Sequence, residues 1–489
     1  MSYIETAIGK WEVVIGLEVH AQVISQSKLF SSASTKFGVA PNENVSFVDA
    51  ALPGVLPVIN EFCVDQAIKT GLGVHCDVNK VSYFDRKNYF YADLPQGYQI
   101  TQFFHPIVSG GYLEIEDDEG NLKKVRLDHI HLEQDAGKSI HDQNPTKSYI
   151  DLNRSGIALM EIVTMPDMRS AVEASNFVKK LRSTLRYLKT CDGNMDEGSL
   201  RADVNISVHR PDEPFGTRAE IKNVNSMKFI ETAIAFEIDR QISLLEAGKE
   251  VDQETRLFDS NTGETRTMRS KEDAQDYRYF PEPDIPPLVI SDERIERIRK
   301  TLPELPDEKS ARLQKDYNLP KYDAELICSE IELANFYEKA LNSIEKANDD
   351  SAKMLSNWFL GDFFSLLNKN GATITNSNIS AEHLGKLIEL IQTDVISGKI
   401  AKDVIELMWD EQKSPDIIVD EKGWKQITST DAIEDALRTV LTENADKVEE
   451  YKSGKDKLFG FFVGQGMKKT QGKANPQMLN EILKKLLSE

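Results

Sequence analysis

Residues 13–23 read VVIGLEVHAQV, and Val13, Ile15, Leu17, Val19, Ala21 and Val23 occupy every second position. Successive side chains on a strand project to opposite faces. The run therefore predicts a strand with one unbroken apolar face, which must be covered by another layer of structure. The opposite face carries Glu18, His20 and Gln22, preceded by Gly16. On one strand alone, a carboxylate, an imidazole and an amide make an ordinary solvated face. They gain meaning only if other strands bring matching groups to the same place.

Other segments have the same layout. RADVNISV (201–208) sets Arg201, Asp203, Asn205 and Ser207 against Ala202, Val204, Ile206 and Val208, and AEIK (219–222) puts Glu220 and Lys222 on one side. Alternation from Val125 predicts Val125, Leu127, His129, His131 and Glu133 on a common face. In LNRSGIALMEIVT (152–164), Glu161 lies inside an apolar run. A carboxylate there is costly unless paired or metal-bound, and for this residue alone a core ion pair and a metal ligand are equal readings. A sheet face offering Glu18, His20, Glu133, Asp203 and Glu220, with Glu161 reaching in, would repel itself if empty. Divalent cations would relieve that, and oxygen-rich donors with one imidazole favour Mg²⁺, or Mn²⁺ as the alternative, over zinc.

Residues 1–295 are mixed, with short alternating runs and two long helices, which predicts an α+β class. The first helix starts at Ser170, with Glu173 completing a capping-box pattern, and runs to about Tyr187. The second starts near Ser226, carries Phe229, Ala233, Phe236 and Ile242 at helical spacing and stops at Gly248. After the proline-rich YFPEPDIPPLVI (279–290), residues 296–410 are helical in pattern. DEQKSPDIIVDEKGW (410–424) reads as a hinge into a last helical piece, 411–489. Net charge is −21, with 59 basic and 80 acidic residues. A generic nucleic-acid binder would be basic, so any such contact here must be local. The place for it is the C-terminal stretch from Lys452, which has eight lysines against three acids. There GFFVGQGMKKTQGK (460–473) reads as a Gly-rich turn carrying Lys468, Lys469 and Lys473, suited to gripping a phosphate backbone.

No apolar run reaches membrane-spanning length, and the polar N-terminus shows no secretory signal. The four cysteines form no C-x-x-C pair. That argues against a zinc ribbon or a disulfide framework and fits a reducing cytoplasm. HLEQDAGKS (131–139) is no P-loop, because Leu132 stands where the first glycine is needed. FDRKNYFYADLPQGYQITQF (84–103) and DYRYFPEPD (276–284) mix tyrosines with Arg86, Lys87 and Arg278. They read either as cation–π surface packing or as arginine forks for phosphate and substrate.

In order along the chain, GLEVHAQ, FDRKNYFY, HLEQDAGK, LNRSGIALMEIV, EGSLRADVNIS, AEIKNVNS and DYRYFPEPD resemble the B-subunit family of the aspartyl/glutamyl-tRNA amidotransferases. The tail resembles the YqeY-like module that ends those subunits, so the likeness covers essentially the whole chain. The resemblance implies a glutamine-synthetase-like catalytic cradle with a mainly antiparallel sheet, then an all-α domain, then a small helical tail that binds tRNA. It implies two Mg²⁺ sites, one at His20, Glu133 and Glu161 and one at Glu18, Asp203 and Glu220. It implies ATP as co-substrate, phosphorylation of the side-chain carboxylate of Glu misacylated on tRNA-Gln or Asp on tRNA-Asn, and amidation by ammonia. Arg201, Asn205, Lys222 and Arg278 would then bind ATP or substrate. Lys87 would gate an ammonia tunnel, with Gln96 at its mouth where some relatives have lysine. Implied partners are an amidase A subunit and a small C subunit in a cytoplasmic heterotrimer, together with misacylated tRNA and no membrane. Many relatives carry a C-x-x-C pair after the first strand. This chain has no cysteine there, so no zinc is expected. Two other readings stand beside this one. A noncatalytic tRNA-binding or assembly subunit would use the acidic face for docking. A free-standing small-molecule carboxylate–amine ligase would need neither the basic tail nor the additional helical domains.

Overall fold

The computed structural model describes residues 3–270, 276–426, 430–470 and 473–488. The chain forms two compact units, Met1–Leu305 and Pro306–Glu489. In the first unit ten strands follow one another across a single sheet. They are β1 (Gly9–Gln22), β2 (Asp85–Asn88), β3 (Tyr98–Thr101), β4 (Leu122–Gln134), β5 (Ala158–Thr164), β6 (Leu200–His209), β7 (Ala219–Lys222), β8 (Glu254–Asp259), β9 (Glu264–Ser270) and β10 (Phe280–Pro281). Their spatial order is β9-β8-β7-β6-β1-β5-β4-β3-β2-β10. The β7–β8 pair is parallel and the other neighbours are antiparallel. The exception has a simple cause: a parallel pair needs a crossover, and the helix Met227–Glu246, between β7 and β8, provides it.

The alternating residues of β1 behave as their pattern requires. Val13, Ile15, Leu17, Val19, Ala21 and Val23 are all buried in one core with Ala202, Val204, Ile206 and Val208 of β6. Helices α1 (Glu61–Gly73), α2 (Ala171–Leu188) and α3 (Met227–Glu246) contribute to the same core, through Ile68, Phe177, Leu181, Ile230 and Ile234 among others. Both long helices start where expected. Ser170 accepts from Glu173 N, and Ser226 from Phe229 N. The return arm of the expected capping box differs: Glu173 accepts from Arg169 N and Lys123 Nζ instead of the Ser170 amide.

Strand β4 departs from simple alternation. Val125 and Leu127 are buried in the core, yet so are Ile130 and Leu132, while His129, His131 and Glu133 lie on the other face. The register to β5 explains the switch: Val163 pairs with His129, and the next residue, Thr164, pairs with Leu127. Asp128 is thus an extra residue, a β-bulge that inverts the facing of one half of the strand relative to the other. The common face expected for Val125 through Glu133 is split there.

The second unit is helical. Helix Pro415–Lys422 packs against Ala381–Gln392 and Gly398–Glu411. A separate apolar cluster gathers Ile433, Leu437, Phe462, Leu479 and Leu483. The GFFVGQGMKK stretch is part of a helix, Leu458–Lys469, and not a turn. Glycine costs about 1 kcal/mol in a helix interior, but Phe462 and Gly466 are buried, and Gly466 faces Leu437 and Leu479 at a distance only glycine permits. Tertiary packing overrides local propensity.

Between β1 and α1 the chain has little regular structure, and one buried ion pair organises it. Lys28, fully buried, donates to Asp49 Oδ2 (3.0 Å), Asn44 O (2.6 Å) and Leu152 O (3.3 Å). Asp49 also accepts from Ser31 Oγ and Ser46 N. Gly156, at φ +84°, leaves no room for a Cβ beside Asp49 Oδ1. Removing one member of such a pair strands a buried charge. Lys28→Met is therefore expected to lower stability by about 3–5 kcal/mol, whereas Lys28→Met with Asp49→Leu should recover the part due to the stranded charge but not the part due to Asn44 O, Leu152 O and Ser46 N, which lose their partners. Urea unfolding, followed with limited proteolysis of the 25–60 segment, would check both.

Candidate active site

The polar face opposite the helices collects the acidic residues that the strands carry. Glu161 on β5 stands opposite His20 on β1 and His131 on β4 in the two flanking ladders. Its Oε2 lies 3.3 Å from His20 Nε2 and 3.5 Å from His131 Nε2. Glu133, buried and two residues along from His131, comes within 3.9 Å of His20 and 3.8 Å of His131. Ligand atoms of His20, Glu133 and Glu161 all lie within 4.8 Å of one another, and among the described residues they are the group arranged to hold a cation. One imidazole and two carboxylates suit Mg²⁺ or Mn²⁺.

The electrostatics show how the cluster is balanced without a metal. Burial opposes charge on His20, but Glu161, then Glu133 and Asp203, outweigh it and lift its pKa to about 9. Burial likewise opposes charge on Glu161, yet His131, His20 and Lys87 hold its carboxyl far below the usual range. His131 is also raised, through Glu161 and Glu133 against its burial. The protonated His20 thus occupies the place a divalent cation could take, and a metal bound there must displace its proton.

The second carboxylate set sits across β1, β6 and β7. Asp203 is the cross-strand partner of Glu18, and Asn205 of Glu220. Lys222 places its ammonium between Asp203 (2.5 Å) and Glu220 (2.8 Å). Asn205 Nδ2 donates to Glu18 (2.9 Å), and Thr255 Oγ1 to Glu220 (2.8 Å). Burial, then Glu161 and Glu220, raise the Glu18 pKa, with Asn205 and Lys222 partly offsetting them. Lys222 is raised because Asp203 and Glu220 overcome its burial. These three carboxylates share one region of the face, but an ammonium is interposed between two of them.

The other expected residues fall at different distances from this centre. Arg201 is opposite His20 in the β1–β6 ladder. Its Nη2 donates to buried Asp135 (2.9 Å), while its buried Nε has no hydrogen-bond partner. Lys87 lies over the rings of Tyr277 (5.0 Å) and Tyr89 (5.9 Å), and its pKa is raised because Glu133, Tyr279 and Glu161 outweigh its burial. Gln96, in the loop before β3, donates to Tyr98 O. Arg278 is exposed at φ +43°, with Asp276 at 3.8 Å. Arg86 is taken up by Glu282 (2.7 and 2.9 Å) and Asp284. In the second unit, Lys468 is exposed, Lys469 pairs with Glu443 (2.8 Å) and Lys473 is half-buried.

Two contributors lay outside the site residues expected from sequence. His131 touches both carboxylates of the first cluster, and its place two residues before Glu133 on a strand was the available signal. Asp135 anchors Arg201 and also accepts from Gln22 (3.3 Å). It follows the end of β4, where strand alternation gives no guidance. The glycine of the same DAGK stretch serves packing: a Cβ on Gly137 would meet Asp93 O at 2.8 Å.

Comparison with known proteins bears on the whole chain. Residues 13–296 match the GatB/GatE catalytic domain, and residues 336–487 match the GatB domain that follows it. The chain is 59% identical over 488 residues to a protein of Granulibacter bethesdensis named as the B subunit of aspartyl/glutamyl-tRNA(Asn/Gln) amidotransferase, covering all of both chains. Proteins of the same name from Acidiphilium cryptum and Rickettsia rickettsii are 59% and 57% identical, with 99% and 100% of their lengths covered. By its full-length likeness and by both domains, the chain belongs to the B-subunit family of the aspartyl/glutamyl-tRNA amidotransferases, ligases that form carbon–nitrogen bonds.

Proposed function

We propose that this chain is the kinase and transamidase subunit of a tRNA-dependent amidotransferase, acting with an amidase A subunit and a small C subunit. The observation that carries the reading is the polar sheet face, where His20, Glu133 and Glu161 adjoin Glu18, Asp203 and Glu220, with Lys222 between the last two. The open face between flanking strands serves as the glutamine-synthetase-like cradle. Its substrates are ATP and tRNA carrying a misplaced Glu or Asp.

Two anions must meet for the first step. The side-chain carboxylate attacks the γ-phosphorus of ATP, ADP leaves, and an acyl phosphate forms. Ammonia then attacks the acyl carbon, inorganic phosphate departs, and a proton is lost to leave the amide. His20, Glu133 and Glu161 would hold one Mg²⁺, and Glu18, Asp203 and Glu220 a second. Bound there, the ions supply charge neutralisation for the phosphate oxygens. Lys222 would leave the carboxylates for a phosphate oxygen, and Arg201 offers its unpartnered Nε on the same side. Asn205 orients Glu18. Lys87, between Glu133 and the tyrosines, is placed to admit ammonia and to hold back water and cations, with Gln96 farther out. Arg278 reaches solvent, where the larger substrate arrives.

Replacing Glu161 with Gln keeps its shape and removes the charge that both histidines face. Amidation by the reconstituted complex should fall by a hundredfold or more, on the order of 3 kcal/mol, and Mn²⁺ titration should show weakened binding. Glutaminase activity of the partner should remain at its uncoupled level. Near-normal amidation across a magnesium series would sink the metal assignment. Absence of tRNA-dependent phosphate release from the parent complex would instead favour the noncatalytic reading.

The tail reading is tested separately. Lys468→Ala with Lys469→Ala should raise the KM for tRNA and flatten its salt dependence, by roughly one unit of slope for each phosphate no longer neutralised, while leaving kcat unchanged. An unchanged salt slope would remove this helix from tRNA binding.

A further inference from the structure

Phe103 and Phe104 are 48% and 58% exposed, although both belong to an ordered aromatic stack. Phe103 lies flat on Tyr279, with centroids 4.0 Å apart and planes 11° apart, and Phe104 meets Phe103 edge-on at 4.9 Å. Aromatic rings packed this way usually sit in a core; here they are presented to solvent. Their presentation is rigid. The carboxylate of Asp85, itself buried, accepts from the backbone N–H of both Phe103 (3.1 Å) and Phe104 (3.2 Å). Asp85 stands on β2, opposite Thr101 of β3 and Pro281 of β10, so three strands fix the pedestal.

The stack is continuous with the candidate active site. Thr101, two residues before Phe103, pairs with Glu133 in the β3–β4 ladder. Tyr279 leads through Tyr277 (6.1 Å) to Lys87, whose ammonium lies over the Tyr277 ring. Burial pushes the Tyr279 hydroxyl up to about 12, so the ring presents no negative charge. Arg278, the residue before it in the chain, is exposed, with the Asp276 carboxylate 3.8 Å from its guanidinium. Neutral, flat, half-exposed rings next to an exposed cation suit an unpaired nucleobase and its phosphate.

We propose that Phe103, Phe104 and Tyr279 form the stacking platform for the unpaired 3′ end of the tRNA whose aminoacyl group enters the site. This rests on the function proposed above, because the ester that carries the reacting amino acid is attached to the terminal ribose. The base on that ribose must therefore settle within about one nucleotide length of the carboxylate chemistry. The platform lies beside the strand that bears Glu133, and an accessible aromatic surface there takes the base without reading it closely. Arg278 takes the neighbouring phosphate.

The test uses the assembled complex. Phe103→Ala with Phe104→Ala should raise the KM for misacylated tRNA about tenfold or more, the usual consequence of losing a base stack, with the KM for ATP and the Mn²⁺ titration unchanged. Phe103→Trp with Phe104→Trp keeps the flat surface and should stay within about twofold of the parent. A second measurement uses uncharged tRNA with and without its unpaired 3′ end. Trimming should weaken binding to the parent complex about tenfold and to the alanine variant hardly at all. A rise in the KM for ATP would assign the platform to the nucleotide's own adenine, and loss of complex assembly would make it a protein interface. Equal trimming losses in both complexes would also overturn the proposal. Failure of the parent complex to release phosphate in response to misacylated tRNA would instead defeat the function proposed above, since the trimming comparison reads binding alone.

Discussion

Crowding of like charge on one face of a sheet is the constraint around which the rest of the first unit is arranged. Glu18, Glu133, Glu161, Asp203 and Glu220 project from five neighbouring strands, and the apolar face behind them is closed by helices. Carboxylates at such spacing raise one another's pKa unless cations intervene. Here they do, each with a definite place: His20 and His131 against Glu161, Lys222 between Asp203 and Glu220, and Arg201 against Asp135. The compensation is uneven. Glu161 is held firmly ionised, while Glu18, with an amide as its nearest partner, has its pKa raised. Glu18 is thus a carboxylate whose charge its surroundings disfavour, and an incoming cation would relieve it.

The two faces of the sheet were legible in the sequence because period-two alternation is a local property. The apolar positions of β1 and β6 could be assigned by counting, and so could Glu18, His20, Asp203 and Glu220 opposite them. Counting failed at β4 because Asp128 adds a residue that no local pattern marks. Only the parity of the apolar residues hints at it: Val125 and Leu127 share parity with three polar residues, and Ile130 and Leu132 take the other parity. Glu161 was ambiguous for a different reason. Its surroundings in sequence are apolar, and its partners come from strands far away in the chain. The helix at Leu458–Lys469 reads as a turn because glycine content speaks only for local propensity, whereas Phe462 and Gly466 are held by packing against distant residues. Asp135 and Asp85 act through backbone and side-chain partners that only the folded chain brings to them.

The internal cations hold the crowded carboxylates together before any ligand arrives. The ammonium of Lys222 is held between Asp203 and Glu220 by charge and by geometry that a divalent ion could replace, and in the reaction proposed above its displacement would free a positive group for phosphate. Arg201 is different: Asp135 fixes one nitrogen, and a buried Nε is left without a partner. A buried unpaired donor costs stability, and in a polar site it is tolerated where a substrate oxygen completes it.

The charge of the whole chain sets the terms on which a polyanion can approach. At −21 the protein repels nucleic acid at long range, so in the function proposed above recognition would have to come from short-range features. Salt screens the repulsion beyond about 8 Å at physiological strength, and beneath that length local groups decide. The first unit offers flat rings and an exposed arginine, Arg278, with Asp276 at 3.8 Å; the second offers lysines on a helix whose Gly460 and Gly464 are exposed. Stacking is indifferent to net charge, and a few lysines act only on phosphates already close. In the function proposed above, either feature would let an acidic protein turn away nucleic acid in general and keep one that offers an unpaired base or a phosphate at the right place. That selectivity suits a chemistry whose own centre must remain rich in carboxylates.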